Sequence, residues 1–253
     1  MESDGMDIAK LEEALNREKN VKLIYIITNF QNPTGFTTSW EKRKTIYELA
    51  KQHGVVIVED NPYGDLRFAG EDIPAIKTLD TEGVVAYCGT FSKLLAPGLR
   101  VGYLVVNKGL MPKLTVAKQC SDVHTTVLSQ MICERFISTV DLDAHIAGLR
   151  KIYRHKAQLM MDTVDRCFPK EIQYHKPEGG LFLWCTMPFD VDTVTFCSET
   201  VQKYKVAAIS GTAFLVSPQS KCNSLRLNYT TPTDDRIVAG IELLGKALRE
   251  AWF

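Results

Sequence analysis

Lys93 stands in the segment YCGTFSKLLAPGLRVGY, residues 87 to 103, where an apolar run ends in Thr90, Phe91 and Ser92 and is followed by Pro97, Gly98 and Arg100. A lysine in an ordinary solvated loop needs no such fence. Two other polar clusters stand at the same kind of place: Asn32 in NFQNPTG follows an apolar run at 21–28, and Asp60 and Tyr63 in EDNPYGD follow another at 55–60. In open α/β sheets ligands bind in the crevice outside the carboxyl ends of the strands, so one ligand touching all three loops is what this spacing predicts. Each cluster also has a plainer reading. NPTG and DNPYGD are turn sequences in which Pro and Gly set backbone angles, and a lone lysine after a strand is more often solvated than catalytic. Their joint occurrence, each at a strand end, outweighs those separate readings.

The elements that must carry these loops are legible. Asp7 as N-cap with Ile8, Leu11 and Leu15 at helical spacing predicts a helix over 7–18. VKLIYIIT (21–28), VVIVED (55–60) and VVAYCG (84–89) are near-continuous apolar runs rich in branched residues, the pattern of strands buried on both faces. A helix is expected from Trp40 to Gln52, stopped by Gly54. VGYLVV (101–106) is a fourth strand, and its short connection suits an antiparallel neighbour or an edge, because a parallel crossover needs a dozen or more residues. Residues 110–137 read as helical. The periodic run from Leu142 through Tyr153 and Met160 to Cys167 predicts a helix ~35–40 Å long. Beyond Pro169 the pattern changes to short strands at 181–186, 206–209 and 224–229 with helices at 191–204 and 233–251, a separate α+β unit. The domain boundary is placed at 140/141.

Composition narrows the function classes. The chain has 253 residues, 45% hydrophobic, enough to bury a sizeable core. Thirty basic residues balance thirty acidic ones, so no net field favours nucleic acid or an anionic membrane. The seven cysteines include no CxxC pair, which argues against a disulfide framework or a zinc site and for a reducing, cytoplasmic setting. No apolar run approaches the roughly 20 residues of a membrane span, and MESDGMDIAK is acidic, unlike a signal peptide. His124, His145, His155 and His175 lack metal-ligand spacing, so neither a metal nor a role is assigned to them. Phe214 and Tyr229 read as packing residues. Arg226, in the alternating strand SLRLNY, reads on its own as a surface or salt-bridge arginine.

As a set, NPTG, DNPY, TFSK with Arg100 seven residues after the lysine, and LRLNYT resemble the class I/II aminotransferases of pyridoxal-phosphate fold type I, over nearly the whole chain. The resemblance is closest to the branch of 2-aminoadipate, aromatic and kynurenine aminotransferases and the aminotransferase-like domains of some bacterial regulators. It implies an α/β three-layer sandwich with an incomplete large cofactor domain over 1–140 and a small α+β domain over 141–253. It further implies a pyridoxal 5'-phosphate cofactor, amino-group transfer from an amino acid to a 2-oxo acid in amino-acid metabolism and biosynthesis, and a homodimer.

Residue roles follow from the same resemblance. Lys93 forms the Schiff base with the cofactor and then serves as acid/base at the substrate Cα. Asp60 faces the pyridine nitrogen, and Tyr63 and Asn32 bond the phenolic oxygen. Thr90, Ser92 and Arg100 hold the phosphate. Arg226 clamps the substrate α-carboxylate, near which Asn32 also stands, and EGGLFLW (178–184) lies at the substrate mouth. SGTAF (210–214) resembles, as a signal of low specificity, a family loop between a strand and the small-domain core.

The family pattern begins well upstream of this chain. Its phosphate-cradling glycine loop and ring-stacking aromatic residue have no counterpart here, and four large-domain strands are read where seven are usual. Two readings remain open: a piece of a longer enzyme, or an impaired aminotransferase-like protein serving as a sensor or interaction module. Weak cofactor binding by this chain alone is the expectation in either case.

Overall fold

The computed structural model describes residues 2–217 and 220–252. Two compact units divide the chain. The first runs to Asn29 and takes in Phe36–Asp65 and Glu71–Leu149; the second gathers Phe30–Gly35, Leu66–Gly70 and the chain from Arg150 onward. The division therefore falls nine residues beyond the expected 140/141, inside a helix whose uninterrupted periodicity gives no sign of it. The two short segments join the second unit through contacts that sequence order does not reveal.

In the first unit, β1 (Leu23–Ile27), β2 (Val56–Asp60) and β3 (Val85–Thr90) are parallel neighbours, and β4 (Gly102–Val105) closes the sheet antiparallel to β3. That antiparallel fourth strand is the outcome its short connection predicts. Helix α1 (Ile8–Arg17) is capped by Asp7, whose side chain accepts from the Lys10 amide at 3.1 Å. Helix α2 (Trp40–His53) starts on Ser39 and ends on Gly54, whose φ of 64° is the left-handed conformation that favours glycine. Together they bury one face of the sheet, packing Leu15, Ile46 and Ala50 against Ile24, Ile26 and Ile57. Each such buried branched side chain contributes about 2 kcal/mol.

The other face of β1 departs from expectation. Leu23 and Tyr25 are 53% and 55% exposed, and every residue of β4 is exposed. An apolar run tells that both faces can be buried; what covers each face is a tertiary matter. The helical stretch 110–137 is likewise two helices, α3 (Met111–Asp122) and α4 (Val127–Thr139). Val123 breaks it by adopting a φ of 64°, a conformation costly for a branched residue and unmarked by any Gly or Pro.

In the second unit, α5 (Leu142–Cys167, whose first residues lie in the first unit), α6 (Thr193–Tyr204) and α7 (Asp234–Trp252) accompany an antiparallel sheet ordered β5-β6-β8-β7. Its strands are β5 (Gln173–Tyr174), β6 (Phe182–Thr186), β7 (Ile209–Ser210) and β8 (Ser224–Asn228). Two-residue β5 is too short to leave a periodic signal. Met160, Met161 and Val164 of α5 meet Leu183, Cys185, Leu225 and Leu227 of the sheet and Ile237, Ile241 and Leu244 of α7 in one core. No described helix is long and apolar enough to cross a membrane.

Candidate active site

In the first unit the polar residues sit where the parallel strands end. Asp60 is the last residue of β2, in register with Ile27 and Cys88, and Tyr63 is buried three residues later. Thr90 ends β3. Its hydroxyl donates to the Val101 carbonyl at 3.3 Å and accepts from the Ser92 amide at 3.1 Å, pinning the turn that carries Lys93. Arg100, at a φ of 57°, turns back so that Nη1 donates to Ser92 Oγ at 3.4 Å and to the Pro97 carbonyl at 2.9 Å. Two hydroxyls and a guanidinium thus share one loop with the lysine. Such a cluster is suited to a multiply charged anion.

The loop has a support that sequence reading passed over. His145, assigned no role, sets Nε2 2.7 Å from the Leu94 carbonyl and stands edge-on to Phe136. Since a carbonyl only accepts, Nε2 is the donor and carries the proton. A histidine with no metal-ligand spacing therefore anchors the residue next to Lys93.

A second support lies behind the ends of β1 and β2. Arg43 of α2 is fully buried, and its guanidinium donates to the carbonyls of Thr38, Ile73, Pro74 and Thr28 and to Asn29 Oδ1. Asn29 donates to Asn61 Oδ1 at 3.0 Å, and Asn61 donates to Tyr87 Oη at 2.8 Å. Glu59, also fully buried, accepts from Thr28 Oγ1 and from the amides of Ile76 and Lys77, each at 2.9 Å. A buried charge is tolerable only when so satisfied. The chain on either side of Asp60 is thereby fixed. Burial, then the Asp60 and Glu59 carboxylates, push the Cys88 thiol above its ordinary range, so it stays protonated and inert near neutrality.

In the second unit Arg226 occupies the middle of β8, opposite Trp184 on β6 and Ile209 on β7. Its Nη1 donates to Asn32 Oδ1 at 2.5 Å, and its guanidinium carbon lies 4.3 Å from the Phe182 ring centre and 4.9 Å from that of Phe214. This is no surface arginine, and Phe214 is more than packing: it is one of two aromatic faces against the cation. The Asn32 loop is seated by EGGLFLW. A Cβ on Gly179 would stand 2.3 Å from the Phe30 ring, so only glycine admits that ring. Tyr229, fully buried as expected of a packing residue, donates to the Gly180 carbonyl at 2.8 Å.

Residues 2–242 match the family described as aminotransferase class I and II. The chain belongs to that family. It is 39% identical over 254 residues to aromatic-amino-acid aminotransferase 1 of Thermococcus litoralis, covering 99% of this chain and 60% of the relative. The 2-aminoadipate transaminase of Thermus thermophilus is 36% identical, with 97% and 62% covered. Among solved structures, kynurenine aminotransferase of Pyrococcus horikoshii, in complex with PMP, superposes with a TM-score of 0.94 at 37% identity, over 100% of this chain and 63% of that one. The chain therefore spans about three fifths of the length of the relatives it matches, and its α/β fold is theirs.

Proposed function

We propose that this chain carries the lysine, the anion-binding loop and the carboxylate clamp of an aminotransferase that uses pyridoxal phosphate to move an amino group from an amino acid to a 2-oxo acid. The observation that carries the reading is the Thr90, Ser92 and Arg100 cluster on the loop of Lys93, one β-strand from Asp60. The donor set fits the cofactor: hydroxyls and a guanidinium for its phosphate, a carboxylate for its ring nitrogen, a phenol at Tyr63 and a primary amine at Lys93. When bound, the cofactor supplies an electron sink for the substrate Cα.

The residues of this chain do the rest. Lys93 holds and moves the proton at Cα, Arg100 fixes the phosphate end, and Asp60 keeps the ring nitrogen protonated. In the second unit Arg226, stiffened by Phe182 and Phe214, presents a rigid fork to an α-carboxylate, with Asn32 as its polar neighbour in place of that substrate. Homodimerisation belongs to the same reading, supported by the exposed Val127, Leu128 and Met131 of α4, which a partner would cover. A cytoplasmic setting is supported by the seven free cysteines.

Adding pyridoxal phosphate, reducing with borohydride and mapping peptides should leave the pyridoxyl group on Lys93, and amino donors added before reduction should change the visible spectrum and protect Lys93. Label confined to other lysines, or a spectrum indifferent to every amino donor, would overturn the reading.

A further inference from the structure

Resting on that reading, we propose that Tyr25 is the positioning residue of Asp60, holding the carboxylate in the orientation it presents to the cofactor's ring nitrogen. Tyr25 Oη donates to Asp60 Oδ2 at 2.7 Å. The register explains the reach: Asp60 pairs with Ile27 across β1 and β2, and Tyr25, two residues before Ile27, projects from the same face of the sheet. Tyr25 is also the polar exception on that face of β1, where Leu23 and Ile27 are aliphatic. Nothing else in β1 can reach the carboxylate with a donor.

Two further facts bear on the geometry. Partial burial of the hydroxyl and then the Asp60 hydrogen bond raise the Tyr25 phenol well above its ordinary range, with Tyr63 and Cys88 adding to the effect, so Tyr25 is a donor at every working pH. The second fact is the chain beyond Asp60. Asn61 is held through its side chain by Asn29 and Tyr87 and through its amide by the Cys88 carbonyl at 2.9 Å, which fixes the backbone but leaves the carboxylate torsion to be set by its own partner. A hydrogen bond to one oxygen sets that torsion.

The test uses the whole chain and two arms. In the first, the ultraviolet titration of Tyr25, isolated as wild type minus Tyr25→Phe, is compared with the same difference in an Asp60→Asn background; it should move down toward the ordinary phenol near pH 10 once the carboxylate is gone. An unmoved titration overturns the pairing. In the second, binding of pyridoxal phosphate and of its analogue with carbon in place of the ring nitrogen is measured for wild type and Tyr25→Phe. The variant should weaken the cofactor by about tenfold and leave the analogue unchanged, because only the nitrogen needs Asp60 in place. Equal loss for both ligands, or none for either, overturns the positioning role while leaving the proposed function standing. Wild type binding neither ligand overturns the proposed function, and with it the role of Tyr25 toward the ring, whatever the first arm shows.

Discussion

The two sheets of this chain use their residues in opposite ways. In the first unit the candidate site residues are displaced to loops beyond the strand ends: Asp60, Tyr63, Thr90, Ser92, Lys93 and Arg100 all lie at or past a carboxyl terminus of β2 or β3. The strands themselves only hold position. In the second unit the functional candidate Arg226 is in the centre of a strand, its charge spread against Phe182 and Phe214. The difference follows from strand direction. Parallel strands end together at one edge and gather their loops there, whereas an antiparallel sheet offers a side chain its face. The supports differ accordingly. Loops need polar anchors such as Arg43, Glu59 and His145, and a strand arginine needs walls.

The largest effect should come from Lys93→Ala, which removes the trappable pyridoxyl label from its peptide and lowers any transamination by roughly 10²–10⁴-fold while leaving the folding of both units unchanged. Circular dichroism and peptide mapping check it together; undiminished labelling of the variant at other peptides would place the reactive amine elsewhere. Next in size, Arg43→Leu should cost the first unit about 3–5 kcal/mol, since five acceptors lose their donors. Hydrogen exchange should report that loss in β1, β2 and α2 and leave the β6 and β8 amides protected. Spread to both units would mean that they do not fold as separate cores.

Smaller again is Arg226→Lys. The point charge survives but the planar fork and its stacking do not, so the Michaelis constant for the amino acid should rise by about 10–100-fold with cofactor affinity unaltered. Steady-state kinetics beside a cofactor titration separate the two. The smallest effects concern caps and carboxylates. Asp192 accepts from the Val194 and Thr195 amides at the start of α6, and Asp192→Ala should lower stability by about 1 kcal/mol in denaturant unfolding.

Asp80 gives a pH signature confined to the first unit. Burial opposes its ionisation, but Lys77 and the amides of Val85 and Val84 outweigh burial and hold the carboxyl below the ordinary carboxylate range. A folded value below the unfolded one, about 3.9, means that this stabilisation is fully present above that pH and is lost as pH falls through the folded value. Acid unfolding of Asp80→Asn should lack this component of the pH dependence.

Much of this was written locally. Asp7, Ser39 and Gly54 mark helix ends through contacts within five residues, and the segment from Thr90 to Arg100 contains its own hydroxyls, lysine and arginine. Caps, turns and apolar periodicity depend on neighbours along the chain, so the longer strands, most helices, the antiparallel β4 and the family motifs could be read directly, while two-residue β5 could not. The break at Val123 could not, because no residue there prefers the conformation it adopts.

What only the tertiary structure decided was every partnership across long separation. Arg226 meets Asn32 over 194 residues, Tyr25 meets Asp60 over 35, and His145 meets Leu94 over 51. The sequence alone determined which residue types were available and which elements would carry them. Which face of β1 is covered, which unit owns the Asn32 loop and which arginine is buried depend on packing between elements, where a side chain's environment is set by whatever the fold brings against it.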